Sequence, residues 1–209
     1  HFVQYFDCFA DDRHLYIAME YLPYGNLQSH ISKRPLPETE AALVTAQLAQ
    51  GLQHMHRVNF IHQDLKPSNV LVNRVGPQWH VKISDFGTAK DTAAFHSTRG
   101  EIGTEGYMAP EIYLLGDGRW TPAVDVWSLG SVAHCLLTMR PPFNAVRELI
   151  SFAQQGTPFP VKAVGRASYS GVDFIQRTMT ASVHNRLRIE EVLEHPWLEV
   201  TFPKSTKYQ

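Results

Sequence analysis

Apolar and polar positions change their period several times along the chain, and each change marks an element. In residues 1–21, HFVQYFDCFADDRHLYIAMEY, apolar and polar residues alternate on either side of Asp11, Asp12 and Arg13, which predicts two short strands around a turn. Pro23, Gly25 and Asn26 break that pattern, and the period becomes helical. Pro37 suits a first helical position, with Val44, Leu48, Leu52 and Met55 following at helical spacing. Two strand-like pieces come next, NVLV and HVKISDF, joined by a turn at Val75, Gly76 and Pro77. After a long irregular stretch, Thr121 reads as a helix cap and Pro122 as the first helical residue. That helix is predicted to run to about Thr138, and its apolar residues, from Val124 to Leu136, occupy every side. A helix apolar all round belongs in the middle of a domain. The rest, residues 144–198, reads as shorter amphipathic helices divided by Gly156, Pro158, Pro160 and Gly171.

One residue conflicts with this pattern. Asp125 lies within the all-apolar helix, where an unpaired carboxylate costs several kcal/mol, so donors must converge on it. The alternative is a capping acid in the first turn.

Composition narrows the picture. The 209 residues suffice for one domain with a sizeable core, and 44% hydrophobic residues exclude disorder. A formal net charge of -1 gives no electrostatic sign of a nucleic-acid or membrane partner, and no apolar run approaches the ~20 residues of a membrane helix. Cys8 and Cys135 stand in no metal-like spacing and read as buried thiols, with a disulfide left open. Among the 11 histidines there is no HExxH. His54 and His56 point in different directions on their helix and read as ordinary. The chain starts at His1, so the native start is expected to lie upstream and targeting is not readable here.

Candidate chemistry is concentrated in residues 59–73, NFIHQDLKPSNVLVN. Asp64 can accept or orient a proton, Lys66 can neutralise phosphate, and the amide oxygen of Asn69 can bind a hard cation. Alone, that spacing is also compatible with the polarity of a surface loop. DFG at residues 85–87 adds a second acid, Asp85, at a strand end, although a lone tripeptide is weak. The order HQDLKPSN, DFG, GTEGYMAPE (103–111) and DVWSLG (125–130) is far more specific. Together these motifs resemble the eukaryotic protein kinase family, serine/threonine class, from about Phe2 to Leu198.

The resemblance implies an α+β, protein-kinase-like fold. Residues 1–22 would be a two-strand remnant of the small lobe with the start of the hinge, 23–198 a mainly helical large lobe, and 199–209 a C-terminal tail. It implies ATP and Mg2+ as cofactors and a protein substrate, without nucleic acid or membrane, in an intracellular, cytoplasmic or nuclear, setting. Asp64 would orient the substrate hydroxyl and receive its proton, and Lys66 would sit against the transferring phosphoryl group. Asn69 and Asp85 would hold magnesium, and Thr104 would hydrogen-bond toward Asp64 and Lys66. MEYLPYG matches the hinge, with Met19 at its gate, backbone groups of Glu20 and Leu22 on adenine, and Leu71 beneath it. Asp125 would accept backbone hydrogen bonds around His62 and Gln63, and Glu111 would pair with Arg186.

The chain also departs from the family pattern. Gln63 replaces the usual arginine, which grips an activation-segment phosphate through a bidentate contact that a neutral amide cannot make. Gly100 stands at the usual phosphorylated position, leaving Ser97 and Thr98 as alternative sites, while Lys90 retains a second phosphate contact. Activity is therefore expected not to depend on that phosphate. The glycine-rich loop, the strand lysine and its helix glutamate are absent, so a small lobe is expected from upstream sequence and the 209 residues alone are not expected to be competent. The turn at 73–79 is longer than usual and reads as a surface loop. Neutral Asn26 and Ser68 predict no strong selection for arginine three residues before the target. The function expected of the parent protein is transfer of phosphate from Mg·ATP to serine or threonine hydroxyls. A pseudokinase or scaffold is the alternative, and a small-molecule kinase of the aminoglycoside-phosphotransferase kind is disfavoured by GTEGYMAPE and DVWSLG.

Overall fold

The alternating stretch near the start of the chain folds as a hairpin in the computed structural model, which describes residues 1–91, 103–115, 120–165 and 167–199. Strand β1 (Tyr5–Ala10) runs antiparallel to β2 (Leu15–Met19), with Asp7 opposite Ala18 and Ala10 opposite Leu15. Asp11 closes the turn: it accepts the N–H groups of Arg13 at 2.8 Å and His14 at 2.7 Å, and its other oxygen takes the Tyr16 hydroxyl at 3.0 Å. Phe6, Phe9, Leu15 and Ile17 are exposed on this ribbon. Cys8 is exposed with them, which corrects the expectation of two buried thiols; Cys135 is buried, and both are free. A two-stranded ribbon buries a side chain only where another element covers it.

Pro23 and Gly25 end the ribbon, and helix α1 (Leu27–Ile31) starts at Asn26, whose side chain accepts the Ser29 N–H at 3.0 Å. Helix α2 (Glu38–Arg57) begins one residue later than predicted, with Pro37 as its N-cap. Val44, Leu48, Leu52 and Met55 are buried, as their spacing required. The two-residue strand β3 (Phe60–Ile61) leads into a loop containing one 3₁₀ turn, Pro67–Asn69. Strands β4 (Val70–Arg74) and β5 (His80–Ile83) form the second expected hairpin, with Val70 opposite Ile83 and Val72 opposite Val81. Strand β6 (Lys90–Asp91) pairs with β3, and α3 (Pro110–Leu115) lies inside the stretch expected to be irregular. Neither was legible, because two-residue bridges and a six-residue helix carry almost no period. The leading residues also dock on β5: the Val3 N–H donates to the Ile83 carbonyl at 3.0 Å and the Ile83 N–H to the His1 carbonyl at 2.7 Å.

Helix α4 (Ala123–Thr138) is buried from Val124 through Leu136 and packs on α2 and on α6 (Tyr169–Thr178). Its start differs in detail from expectation: Pro122 is the N-cap, and the Thr121 carbonyl rather than its side chain accepts the Val124 N–H at 3.0 Å. Helix α5 (Val146–Gln155) ends at Gly156, and α7 (Ile189–Leu193) and α8 (Pro196–Glu199) complete the body. Gly171 does not divide helices; it lies in the first turn of α6, where its N–H donates to the capping Ser168 at 3.1 Å. A side chain there would lie 3.0 Å from the Trp197 ring nitrogen, so close approach explains the glycine. Glu111 and Arg186 form the expected pair as a two-pronged contact at 2.6 and 2.9 Å, with Arg186 also donating to the Ala123 and Thr180 carbonyls. Among the described residues no helix is long and apolar enough to cross a membrane.

The α4–α6 contact yields a direct test. A Cβ at Gly130 would stand 2.7 Å from the Met179 Cγ and 3.0 Å from the Thr178 Cβ. Helix propensity alone favours alanine by about 1 kcal/mol, whereas overpacking costs about 1–3 kcal/mol. Gly130→Ala should therefore lower the urea midpoint at unchanged slope, and a raised midpoint would refute this packing.

Candidate active site

The loop between β3 and β4 is held from below by Asp125. One carboxylate oxygen accepts the Gln63 N–H at 2.9 Å; the other accepts the His62 N–H at 2.9 Å and meets the His56 Nε2 at 2.8 Å. Burial pushes the Asp125 carboxyl up, but the His56 hydrogen bond and the charges and donors of His56 and His62 outweigh it and hold the group below the ordinary carboxylate range. His56 is thus not the ordinary histidine its helical position suggested. No local pattern could have found it, because its partner is 69 residues away.

These contacts also hold Gln63 at φ 70, a costly conformation for a residue with a Cβ. The His62 ring reaches the Ser84 carbonyl at 3.1 Å and stands edge-on to Phe86. Past this bend, four predicted residues meet. Asp64 Oδ1 accepts the Thr104 hydroxyl at 2.8 Å, while Oδ2 accepts the Lys66 ammonium at 2.7 Å and the Asn69 amide at 3.0 Å. Lys66 also donates to the Thr104 oxygen at 2.6 Å, and the Asn69 Nδ2 reaches the Asp64 carbonyl at 2.9 Å. Asp64 and Asn69 are buried, and Lys66 and Thr104 are half-buried. A tight 3₁₀ turn makes the spacing work by bringing Asn69 back over Asp64.

Asp85 approaches through its neighbour. The Ser84 N–H and hydroxyl both donate to the Asn69 carbonyl at 2.9 Å, so the strand ends beside Asn69 and turns outward at Asp85, which has φ 62 and an exposed side chain. The Asn69 amide nitrogen is committed to Asp64, which leaves its Oδ1 as an acceptor. An amide oxygen and a carboxylate are both hard-cation donors, so the donor chemistry of Asn69 and Asp85 suits magnesium.

The other predicted residues surround the hairpin exit. Met19 is exposed, Leu22 is buried, and Leu71 is half-buried in β4, bridged to Asn26. The Glu20 N–H is taken by the Gln4 carbonyl at 2.8 Å. Its carboxylate is gripped by Lys82 at 2.6 and 2.9 Å, which holds it below the usual range. Lys82 and Ser84 were missed, since a strand period says nothing about partners. At Gln63, neither buried amide atom has a hydrogen-bond partner among the described residues, and the Lys90 ammonium lies 5.0 Å from the centre of the Trp120 ring. Ser97, Thr98 and Gly100, and the tail beyond Glu199, lie outside the described residues.

The sequence matches the family described as protein kinase domain over residues 1–198. Over 207 residues it is 34% identical to the serine/threonine-protein kinase cds1 of Schizosaccharomyces pombe, covering 93% of this chain and 44% of the relative. It is 33% identical over 205 residues to the serine/threonine-protein kinase PLK4 of Drosophila virilis, covering 94% and 25%. It is also 33% identical over 201 residues to the calcium/calmodulin-dependent protein kinase type 1 of Macrobrachium nipponense, covering 94% and 57%. The chain thus spans between a quarter and somewhat over half of these relatives' lengths. A match across nearly the whole chain, on a fold that brings the separated motif residues together, shows that it belongs to the protein kinase domain family.

Proposed function

We propose that the protein carrying this chain transfers the terminal phosphoryl group of Mg·ATP to serine or threonine hydroxyls of protein substrates. The observation that supports this best is the closed Asp64–Lys66–Asn69–Thr104 constellation, secured beneath by Asp125. Asp64 accepts the proton as the substrate oxygen attacks the γ-phosphorus and the bond to the ADP oxygen breaks. Lys66, already between Asp64 and Thr104, offers its remaining donor capacity to the phosphoryl oxygens. Thr104 keeps both groups in place, so charge stabilisation needs little rearrangement. Magnesium held by Asn69 and Asp85 would neutralise phosphate charge. The adenine would rest against Leu22 and Leu71, with the Glu20 carbonyl and the Leu22 N–H as its polar contacts and Met19 at the gate. In this reading residues 1–22 are a two-strand remnant of a small lobe with the start of the hinge, 23–198 the large lobe beneath the nucleotide, and 199–209 a tail.

Two measurements on the full-length gene product test this. Asp64→Asn should cut phosphoryl transfer by about 10²–10⁴. Because the nucleotide contacts lie elsewhere, Mg·ATP affinity in calorimetry should hold within a few-fold; a variant that keeps most of its turnover would remove Asp64 from its role, and one with no wild-type transfer to begin with would favour a scaffold.

The second measurement concerns the support beneath. Asp125→Ala leaves two buried N–H groups unpaired, each costing about 1–3 kcal/mol, so both the melting temperature and the turnover should fall. Because its folded-state carboxyl is held below the ordinary value, Asp125 contributes stability above the usual carboxylate range, and that contribution is lost as pH falls through the lowered pKa. The stability gap between wild type and Asp125→Asn should stay constant around neutral pH and shrink only in acid; a gap that widens on acidification contradicts the assignment.

A further inference from the structure

Asp125 holds the bend at His62 and Gln63 from the helix side, and other contacts hold it from the strand side. Strand β6 returns along β3 with Lys90 opposite Ile61 and Asp91 opposite Phe60. Just before β6, the Thr88 hydroxyl donates to the His62 carbonyl at 3.0 Å. The Gln63 carbonyl lies against Gly103, where a Cβ would stand 3.2 Å from it. A bridge this short is at best marginal by itself, so β6 needs a further support to keep its place.

Trp120 supplies one. Its half-buried ring packs against the core, and the Lys90 ammonium stands 5.0 Å from the ring centre. That is within the ~6 Å over which an aromatic face attracts a cation, and indole is the best such face. Lys90 is half-buried too, and partial removal of water strengthens the attraction. The indole N–H has no hydrogen-bond partner among the described residues, so the ring makes its polar contact through its face. Trp120 stands just before Thr121 and Pro122, the N-cap of α4, and the Pro122 carbonyl accepts the Asp125 N–H at 3.1 Å. The contacts therefore close on themselves. Ile61 pairs with Lys90, Lys90 sits on Trp120, Trp120 leads into α4, and Asp125 of α4 binds the residues that follow Ile61.

We propose that Trp120 is a positioning residue for phosphoryl transfer, holding the Lys90 cation on its ring and so closing the circuit that fixes the bend before Asp64. The proposal rests on the phosphoryl-transfer reading above. Loss of the contact frees β6 from the foot of α4 and lets the bend relax, and small misplacements of a reacting group slow the chemical step. The nucleotide contacts lie elsewhere, so the effect falls on kcat. No phosphate enters this circuit, whereas a lysine reserved for an activation-segment phosphate acts only when that phosphate is present.

The test is steady-state kinetics on the full-length gene product, with and without phosphatase treatment. Lys90→Met keeps the stem and removes the charge. Its kcat should fall about 3- to 10-fold, as for loss of a half-buried cation–π contact, with KM for Mg·ATP within about two-fold of wild type. Trp120→Leu should match it, and the double variant should be no slower than the slower single, since both remove one contact. Lys90→Arg should keep most of the wild-type kcat. Where Trp120→Leu does not fold, the two Lys90 variants carry the test. All these results should be the same after phosphatase. Lys90→Met at wild-type kcat would mean that Trp120 only packs, and additive losses in the double variant that the two residues act apart; either overturns the proposal. So does a Lys90→Met deficit that phosphatase abolishes, or a wild type that phosphatase silences, because each places a phosphate in the circuit. A wild type with no transfer before treatment overturns the phosphoryl-transfer reading, and this proposal with it.

Discussion

Asp125 sits fully buried inside a helix that is apolar on every side, and an ionised carboxylate there carries a desolvation penalty of several kcal/mol. Three donors offset it, two from the backbone of the His62–Gln63 bend and one from the His56 ring. The same bonds work in the opposite direction on the loop. They hold Gln63 in a left-handed conformation it would otherwise avoid, and so determine where the chain emerges toward Asp64. A rigid helix thereby sets the position of a loop, and the loop sets the position of the polar groups beyond it.

Those polar groups support one another because each occupies another's free valences. Asp64 has both oxygens engaged, Lys66 spans Asp64 and Thr104, and Asn69 uses its nitrogen on Asp64 while its carbonyl ties down Ser84. Such networks are rigid when satisfied and costly when incomplete. Gln63 shows the contrast: its backbone N–H is bonded to Asp125 and its side chain is buried, yet neither amide atom is paired among the described residues. Where a guanidinium would bring a fixed charge, this chain brings a neutral amide, and Lys90 is placed over an aromatic ring.

The hairpin and the helical body meet through few but strong contacts. Lys82 on β5 grips Glu20 at the end of β2, and the leading residues run beside β5, so the strand that leads to Asp85 also positions the hairpin exit. The predicted adenine-side residues and the acidic end of β5 are linked through one strand. Most apolar side chains of the hairpin remain in water, in contrast to the dry packing around α4.

Long periodic segments were legible from the residues alone. Their pattern is a local consequence of burial on one face or on all faces, so α2, α4 and both hairpins fell where expected, and motif order pointed to the family before any contact was known. The conflict at Asp125 was also legible, because a charge in an apolar helix is anomalous by itself. The resemblance supplied two of its donors, the backbone N–H groups of His62 and Gln63, but not the third: His56 looked ordinary until Asp125 came into view, as Gly171 looked like a divider until Trp197 did. Cys8 failed for the complementary reason, since alternation shows that a strand has faces but not whether anything covers them. Sequence determines which residues must find partners, because desolvation acts on each group where it stands. Only tertiary structure decides which partners they find, because hydrogen bonds and close packing depend on distances between segments that the chain order does not contain.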